Sequence, residues 1–147
     1  IIYNKIRYVE YAHGKELSMI NSNVFDYVNV LQKAADASSL RNEVLSNNIA
    51  NIDTPGYKRQ DVDFETQLRR ALGNMKYKSI DARVGDINTT ELNPSVYTDS
   101  PGFSYRLDGN NVDIDTETAK LAENQIKYNG IMAGVNQEFS NLKLVMK

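Results

Sequence analysis

Two long stretches of the chain carry apolar residues at every third or fourth position, which is the pattern of a helix with one buried face. The first stretch runs from Val24 to Ile52, after residues 21–23, whose polar side chains are N-cap candidates. Its centre is weaker, because Ser38 and Asn42 interrupt the apolar seam, the line of residues that faces another helix. A small and polar centre fits close approach to several neighbours better than a single closed core.

The second stretch predicts a helix from about Thr116 to Val145, on the order of 45 Å long at 1.5 Å per residue. Its seam follows two lines: Leu121, Tyr128, Val135 and Leu142 on one, and Gln125, Met132, Phe139 and Met146 on the other. Gly130 and Gly134 interrupt this helix, each at a cost of roughly 1 kcal/mol against alanine. We therefore expect the helix to be marginal in isolation.

The segment after the first helix predicts a turn and a short helix. Thr54-Pro55-Gly56-Tyr57 has proline and glycine in the order that a type II turn needs, with glycine at the position of positive φ. Phe64 to Leu72 places its apolar residues on one helical face, with Gly73 as the C-terminal stop and Asp63 as a cap.

The rest of the middle region shows no helical period. Phe103, Tyr105 and Leu107 alternate with polar residues, a turn-forming run follows, and Val112 and Ile114 alternate again, which predicts a β-hairpin. The mostly polar segment 74–99 is interpreted as a flexible loop.

These elements predict a mainly α fold with a small β part. Long N- and C-terminal helices pair as a coiled coil, and a short β-hairpin and loop middle completes an elongated subunit. The first methionine is Met19, and we predict that residues 1–18 are a non-native or upstream segment. The further segments are an N-terminal helix at 19–53, a middle region at 54–115 and a C-terminal helix at 116–147.

Composition argues against an enzyme. The 147-residue chain has no cysteine and a formal net charge of −2, and its single histidine, His13, lies in the segment 1–18. Thus no Ser-His-Asp triad can be built from residue 19 onward, and no phosphate-binding glycine loop is present. The acidic run from Asp113 to Glu117 fails the spacing of a calcium loop and is interpreted as the acidic start of a helix. We expect no cofactor and no metal.

Two further classes of partner are disfavoured. Lys58 and Arg59 could contact nucleic acid, but the acidic side chains of Asp61, Asp63 and Glu65 would oppose phosphate. No run of about eighteen apolar residues is present, so no transmembrane helix is indicated. We expect neither nucleic-acid binding nor direct lipid binding.

One motif is specific enough to indicate a family. Residues 41–60, RNEVLSNNIANIDTPGYKRQ, join an asparagine-rich helix end to a Pro-Gly turn. This combination resembles the N-terminal signature of the bacterial flagellar rod, hook and hook-associated axial proteins. The signature is carried by Ala50, Asn51, Thr54, Pro55, Gly56, Tyr57 and Lys58. The resemblance extends over residues 19–147 and is greatest to the short proximal rod subunits of that family.

The resemblance implies a structural subunit of the flagellar basal-body rod in the periplasm, exported by the flagellar type III system. Such subunits polymerise helically through their terminal helices and link the membrane ring and export gate to the rest of the rod. The implied partners are other rod subunits, the adaptor protein between the rod and the MS ring, export-gate proteins and the MS ring. The alternative is a soluble coiled-coil adaptor that binds a partner helix through the C-terminal seam.

The asparagines of the signature have a physical role under this hypothesis. A side-chain amide both donates and accepts hydrogen bonds, and a buried amide without partners costs about 1–3 kcal/mol. Asn47, Asn48 and Asn51 would therefore fix the register between neighbouring helices as well as hold them together. The predicted assembly interface comprises Leu31, Leu45, Asn47, Asn48, Ile49, Asn51, Thr54, Pro55, Gly56, Tyr57, Leu121, Tyr128, Met132, Val135, Phe139 and Leu142.

Overall fold

The computed structural model describes residues 25–73, 78–100, 102, 104 and 106–146. In this part of the chain the elements, in order, are helix α1 (Asp26–Ala50), strand β1 (Gln60–Asp63), helix α2 (Glu65–Leu72), helix α3 (Ile80–Gly85), strand β2 (Ser95–Thr98) and helix α4 (Ile114–Val145). The mainly α fold with long terminal helices and a small β part is confirmed. The N-cap candidates at 21–23 and the segment 1–18 lie outside the described residues.

Helices α1 and α4 pair antiparallel and form the most extensive contact between elements of the described chain. Near one end, the Leu31 side chain lies against Gly134. In the middle, the Asn124 amide of α4 donates to the backbone oxygen of Ser38 and to Oδ1 of Asn42, each at 2.8 Å. The weak centre of the first seam is therefore a polar anchor between the two helices.

The face of α4 that meets α1 follows one of the two predicted lines. Those seam residues are half-buried: Leu121, Tyr128, Val135 and Leu142. The alternate seam positions are filled by Glu117, Asn124 and Ile131, which are buried or half-buried. The other predicted line is exposed: Gln125, Met132, Phe139 and Met146. Helix α1 leaves this second line uncovered, because Glu117, Asn124 and Ile131 occupy the positions beside the first line.

Strands β1 and β2 form a two-stranded antiparallel sheet, with Gln60 opposite Thr98 and Asp63 opposite Ser95. A small sheet in the middle region is confirmed, but its predicted place is wrong. The described residues 106–113 contain no strand, and Phe103 and Tyr105 lie outside the described residues. In the segment 106–113, side-chain amides hold the backbone against another loop, so this backbone forms no ladder.

In place of the flexible loop predicted for the segment 74–99, its described part contains α3 and β2. The hydroxyl of Ser79 caps α3 by accepting from the Ala82 amide at 3.2 Å. Val84 and Leu92 are buried. These buried residues, the cap and the pairing of β2 with β1 together hold a segment whose average composition is polar.

The hydrophobic core lies where α1 meets the middle region. Ala37, Phe64 and Leu92 form a buried cluster, with Leu68 and Ile87 packed against it. Helix α2 ends at Gly73, whose positive φ of 61° is a backbone conformation that glycine adopts readily and other residues rarely do. The cap predicted at Asp63 is wrong: Phe64 is the N-cap residue, and its side chain makes no capping bond.

Candidate assembly site

The turn that follows α1 has the local structure expected from its sequence. Gly56 has a φ of 72°, and the Tyr57 amide donates to the Thr54 oxygen at 3.3 Å, which closes the turn. Asn51 ends the helix: its side-chain amide donates to the Asn47 oxygen at 2.8 Å, and its Oδ1 accepts from the Thr54 hydroxyl at 3.1 Å. This asparagine therefore satisfies backbone groups within its own chain.

Asn48 is fully buried, and its amide joins three elements. Nδ2 donates to the Gln60 oxygen of β1 and to Oε2 of Glu117 in α4, both at 2.7 Å. Oδ1 accepts from the Gln60 amide at 3.0 Å and from the Tyr57 hydroxyl at 3.1 Å. Burial, and then the charge of Glu117, raises the pKa of Tyr57, so its hydroxyl remains a donor. All the hydrogen-bonding groups of Asn48 are thus used inside the subunit.

Arg59 is the centre of a buried ion cluster. Its exposed fraction is 6%, and its guanidinium donates to Glu117 at 2.5 Å, to Asp61 at 2.6 Å and to Asp99 at 2.6 Å. Burial alone would lower the pKa of Arg59, but the hydrogen bonds and charges of Glu117 and Asp61 outweigh burial and raise it. A second cation, Arg41 of α1, lies 2.9 Å from Asp61. One guanidinium therefore connects β1, α4 and the end of β2.

Two adjacent asparagines fasten the segment before α4 to the turn. The buried side-chain amide of Asn110 lies 2.9–3.0 Å from the backbone oxygens of Asn51, Ile52 and Thr54. Oδ1 of Asn111 accepts from the Arg59 amide at 2.7 Å. These contacts satisfy carbonyl groups beyond the end of α1 and fix the position of the turn relative to α4.

Acid is expected to destabilise the chain through Asp61. Burial alone would raise the pKa of its carboxyl, but the hydrogen bonds from Arg59 and the Val62 amide, with the charges of Arg41 and Arg59, lower it below 3.8. Because the pKa is lower in the folded state, the stabilisation is complete above about pH 4 and is lost as pH falls through the folded-state value. Urea midpoints measured from pH 7 to pH 3 test this expectation, with Asp61→Asn as the variant whose midpoint depends less on pH. An equal dependence in both proteins would contradict it.

The outward side of α4 carries an apolar stripe, defined here as Met132, Phe139 and Met146. These residues are spaced by seven and share one helical face. Phe139 is 53% exposed and Met146 is 80% exposed. Exposed apolar residues grouped in this way are typical of a surface that contacts another protein.

The structure separates the predicted interface residues into three groups. Leu45 and Asn48 are fully buried inside the subunit. Leu31, Ile49, Asn51, Tyr57, Leu121, Tyr128, Val135 and Leu142 are half-buried. Asn47, Thr54, Pro55, Gly56, Met132 and Phe139 are exposed. Five further residues of the site are absent from the predicted interface: Arg59, Asp61, Asn110, Asn111 and Glu117. Only Glu117 carries a signal in the sequence, its seven-residue spacing before Asn124.

The described residues show no group of three or more histidine or acidic side chains that could hold a metal ion. Asp113 instead caps α4, with its carboxylate accepting from the Asp115 amide at 3.1 Å and the Thr116 hydroxyl at 2.6 Å. Among the helices in the described part of the chain, none is both long enough and apolar enough to cross a membrane.

Comparison with known proteins gives a consistent result. A family model described as "Flagella basal body rod protein" matches residues 29–58. The Flagellar basal body rod protein FlgB of Bacillus subtilis (strain 168) is 38% identical over 116 residues, which cover 79% of this chain and 89% of the relative. The protein of the same name from Borrelia hermsii is 35% identical over 134 residues, covering 85% and 99%. That of Proteus mirabilis (strain HI4320) is 30% identical over 128 residues, covering 79% and 90%.

Proposed function

The chain belongs to the FlgB family of flagellar basal body rod proteins, and we propose that it is a proximal rod subunit that polymerises through its terminal helices. Membership of the family makes it a structural component of the basal-body rod that associates with other rod components, and not an enzyme. The exposed apolar stripe, which lies beside the face of α4 that is already paired, supports the polymerisation proposal.

The stripe has the geometry that a further helix needs. Tyr128, Val135 and Leu142 pack against α1 from one side of α4, while Met132 and Phe139 lie next to them and face outward. Helix α4 thus presents two adjacent seams, of which α1 covers one. We propose that the second seam receives a helix of a neighbouring subunit, with Met132 and Phe139 as its central contacts.

The remaining predicted interface residues act in two ways in this proposal. Leu45 and Asn48 act indirectly, because they hold the shape of the subunit from inside. The exposed turn at residues 54–56 and the polar Asn47 face outward at the end of α1, where they contact neighbours. We propose that the adaptor protein between rod and MS ring, the export gate and the MS ring contact this subunit, which is exported by the type III system to the periplasmic rod.

Phe139→Asp is expected to abolish self-assembly while leaving the subunit folded. The side chain is half-exposed, so a carboxylate there stays hydrated in the monomer but is buried without a partner in the polymer. Sedimentation against concentration measures assembly, and circular dichroism measures folding. Phe139→Leu keeps the apolar contact and Ser140→Asp adds the charge off the stripe, so both should assemble. Polymers of normal length from Phe139→Asp would refute the role of the stripe.

A further inference from the structure

Helix α4 is held to the rest of the subunit along its first half. The fully buried carboxylate of Glu117 accepts from the Asn48 amide at 2.7 Å. Two turns later, the Asn124 amide donates to the Ser38 oxygen at 2.8 Å. Lys127 then forms an ion pair of 3.1 Å with the first residue of α2. These side chains fix the first half of α4 to its neighbours.

The second half of α4 has no contacts of this kind. We call residues 131–146, the second half of the helix and the residue that follows it, the distal arm. Within the described chain, none of its residues is buried and none forms a hydrogen bond or ion pair with another element. Its side-chain hydrogen bonds are local, as in the one from Ser140 to the Asn136 oxygen. The arm therefore lies on α1 through half-buried apolar side chains alone.

Helix α1 does not depend on the arm for its position. Near its start the Tyr27 hydroxyl donates to Asp81 of α3 at 2.5 Å. One to two turns later, Lys33 donates to Asn93 of the segment before β2 at 3.1 Å, and Ala37 belongs to the buried core. The middle region thus holds the part of α1 that faces the arm, whether or not the arm is in contact.

Two glycines mark the boundary between the anchored half of α4 and the distal arm. A Cβ atom added at Gly130 would meet no heavy atom within 4 Å, so close packing does not require glycine there. At Gly134 the added atom would lie 3.7 Å from Leu31, an ordinary van der Waals distance. Each glycine lowers the equilibrium constant for helix formation about fivefold relative to alanine. The helix is therefore weakest where its polar contacts with other elements end.

Charge also opposes the docked position of the arm. Tyr27 has a raised pKa, caused first by the hydrogen bond to Asp81, then by burial, by the charge of Asp81 and by the charge of Glu138 on the arm. Among the described residues, Glu138 has no ion-pair partner. The docked arm thus brings an unpaired carboxylate near a hydroxyl that is already bonded to another carboxylate.

We propose that Gly130 and Gly134 form a hinge in α4, about which the distal arm leaves α1 and returns while residues 114–129 stay in place. A segment with few buried contacts opens at a lower free energy than the whole molecule. The apolar stripe begins at Met132 and lies entirely on the arm, so its orientation changes with the arm. The hinge is a property of the single subunit and does not rest on the proposed polymerisation.

Distances between two spin labels measure this movement directly, because the chain contains no cysteine that would take up a further label. Ser39→Cys with Ser140→Cys places one label on α1 and one on the arm, both at exposed positions. Dilution with unlabelled protein removes distances between copies. We expect two distances in frozen solution, one for the docked arm and one for the released arm. The control pair, Ser39→Cys with Thr118→Cys, lies on the anchored side of the hinge and should give one distance.

Substitution of the glycines tests where the hinge lies. Gly130→Ala combined with Gly134→Ala should lower the ratio of released to docked arm at least about fivefold, the effect of one glycine. Glu138→Gln should lower the ratio as well, since it removes a like charge from the docked state. Ala122→Gly adds a glycine at an exposed position of the anchored half and should leave the ratio unchanged.

Two results would overturn the proposal. A single distance for the pair at positions 39 and 140 would mean that the arm does not leave α1. Two distances in a ratio that the alanine substitutions do not change would mean that the arm moves about some other point than Gly130 and Gly134.

Discussion

Arg59→Ala is expected to lower the free energy of unfolding by about 3–5 kcal/mol, the usual cost of breaking a buried ion pair by removing one partner. The substitution leaves the fully buried carboxylate of Glu117 without its guanidinium, 2.5 Å away in the native subunit. It also removes the cation that joins Asp61 to Asp99. The carboxylates of β1, of α4 and of the residue after β2 would all lose the Arg59 guanidinium that connects them.

Urea denaturation followed by circular dichroism measures this loss. Arg69→Ala is the matched control, because Arg69 is exposed on α2 and its removal should change stability by no more than about 0.5 kcal/mol. The double variant Arg59→Met, Glu117→Leu should be more stable than Arg59→Ala, since no carboxylate remains buried at position 117. A loss below about 1 kcal/mol for Arg59→Ala would show that water reaches the cluster and compensates its charges.

Leu45→Ala is expected to cost about 2–5 kcal/mol, and Leu45→Asp to prevent folding of the subunit. Leu45 has an exposed fraction of 0% within the single chain. The heptad places Leu45 in the predicted assembly interface, where an acidic residue would block assembly and leave expression intact. The burial of Leu45 inside the subunit moves the expected defect from assembly to folding.

The control for Leu45 is an exposed leucine of the same chain, Leu144. Leu144 is exposed near the end of α4, so Leu144→Ala and Leu144→Asp should leave the unfolding free energy of the monomer within about 0.5 kcal/mol of wild type. Soluble yield and thermal unfolding, measured for the two Leu45 variants and the two Leu144 variants, distinguish a folding defect from an unchanged monomer. A folded, stable Leu45→Asp monomer would show that this face of α1 opens to solvent.

The paired helices and the turn were predictable because their signals are local. A repeat of apolar residues indicates that a helix has a buried face, and the pair Pro55-Gly56 indicates where the chain turns. The sequence did not indicate whether the second line of apolar residues on α4 packs against its own chain or is exposed on the surface of the subunit. Met132 and Phe139 are as apolar as Val135, and a repeat does not say whether its own chain or another chain covers it.

The ion cluster was not predictable for a different reason. Arg59 and Glu117 are 58 positions apart, and each alone resembles an ordinary surface residue. The strand β2 was missed because its pairing partner β1 lies far away in sequence, while its own four residues are exposed. In both cases the information lies in the tertiary contact and not in either segment.

The polar anchors between α1 and α4 also bear on how many alignments the two helices could adopt. A shift of α4 by one heptad would place Tyr128 where Leu121 lies, so the apolar repeat alone gives nearly degenerate alignments. The same shift would move Asn124 into the place of Glu117, and a neutral amide would then face the guanidinium of Arg59. The side chains of Glu117 and Asn124 therefore make the native alignment lower in free energy than the shifted alignments. Because only one alignment is stable, the length of the subunit along its helices has a single value.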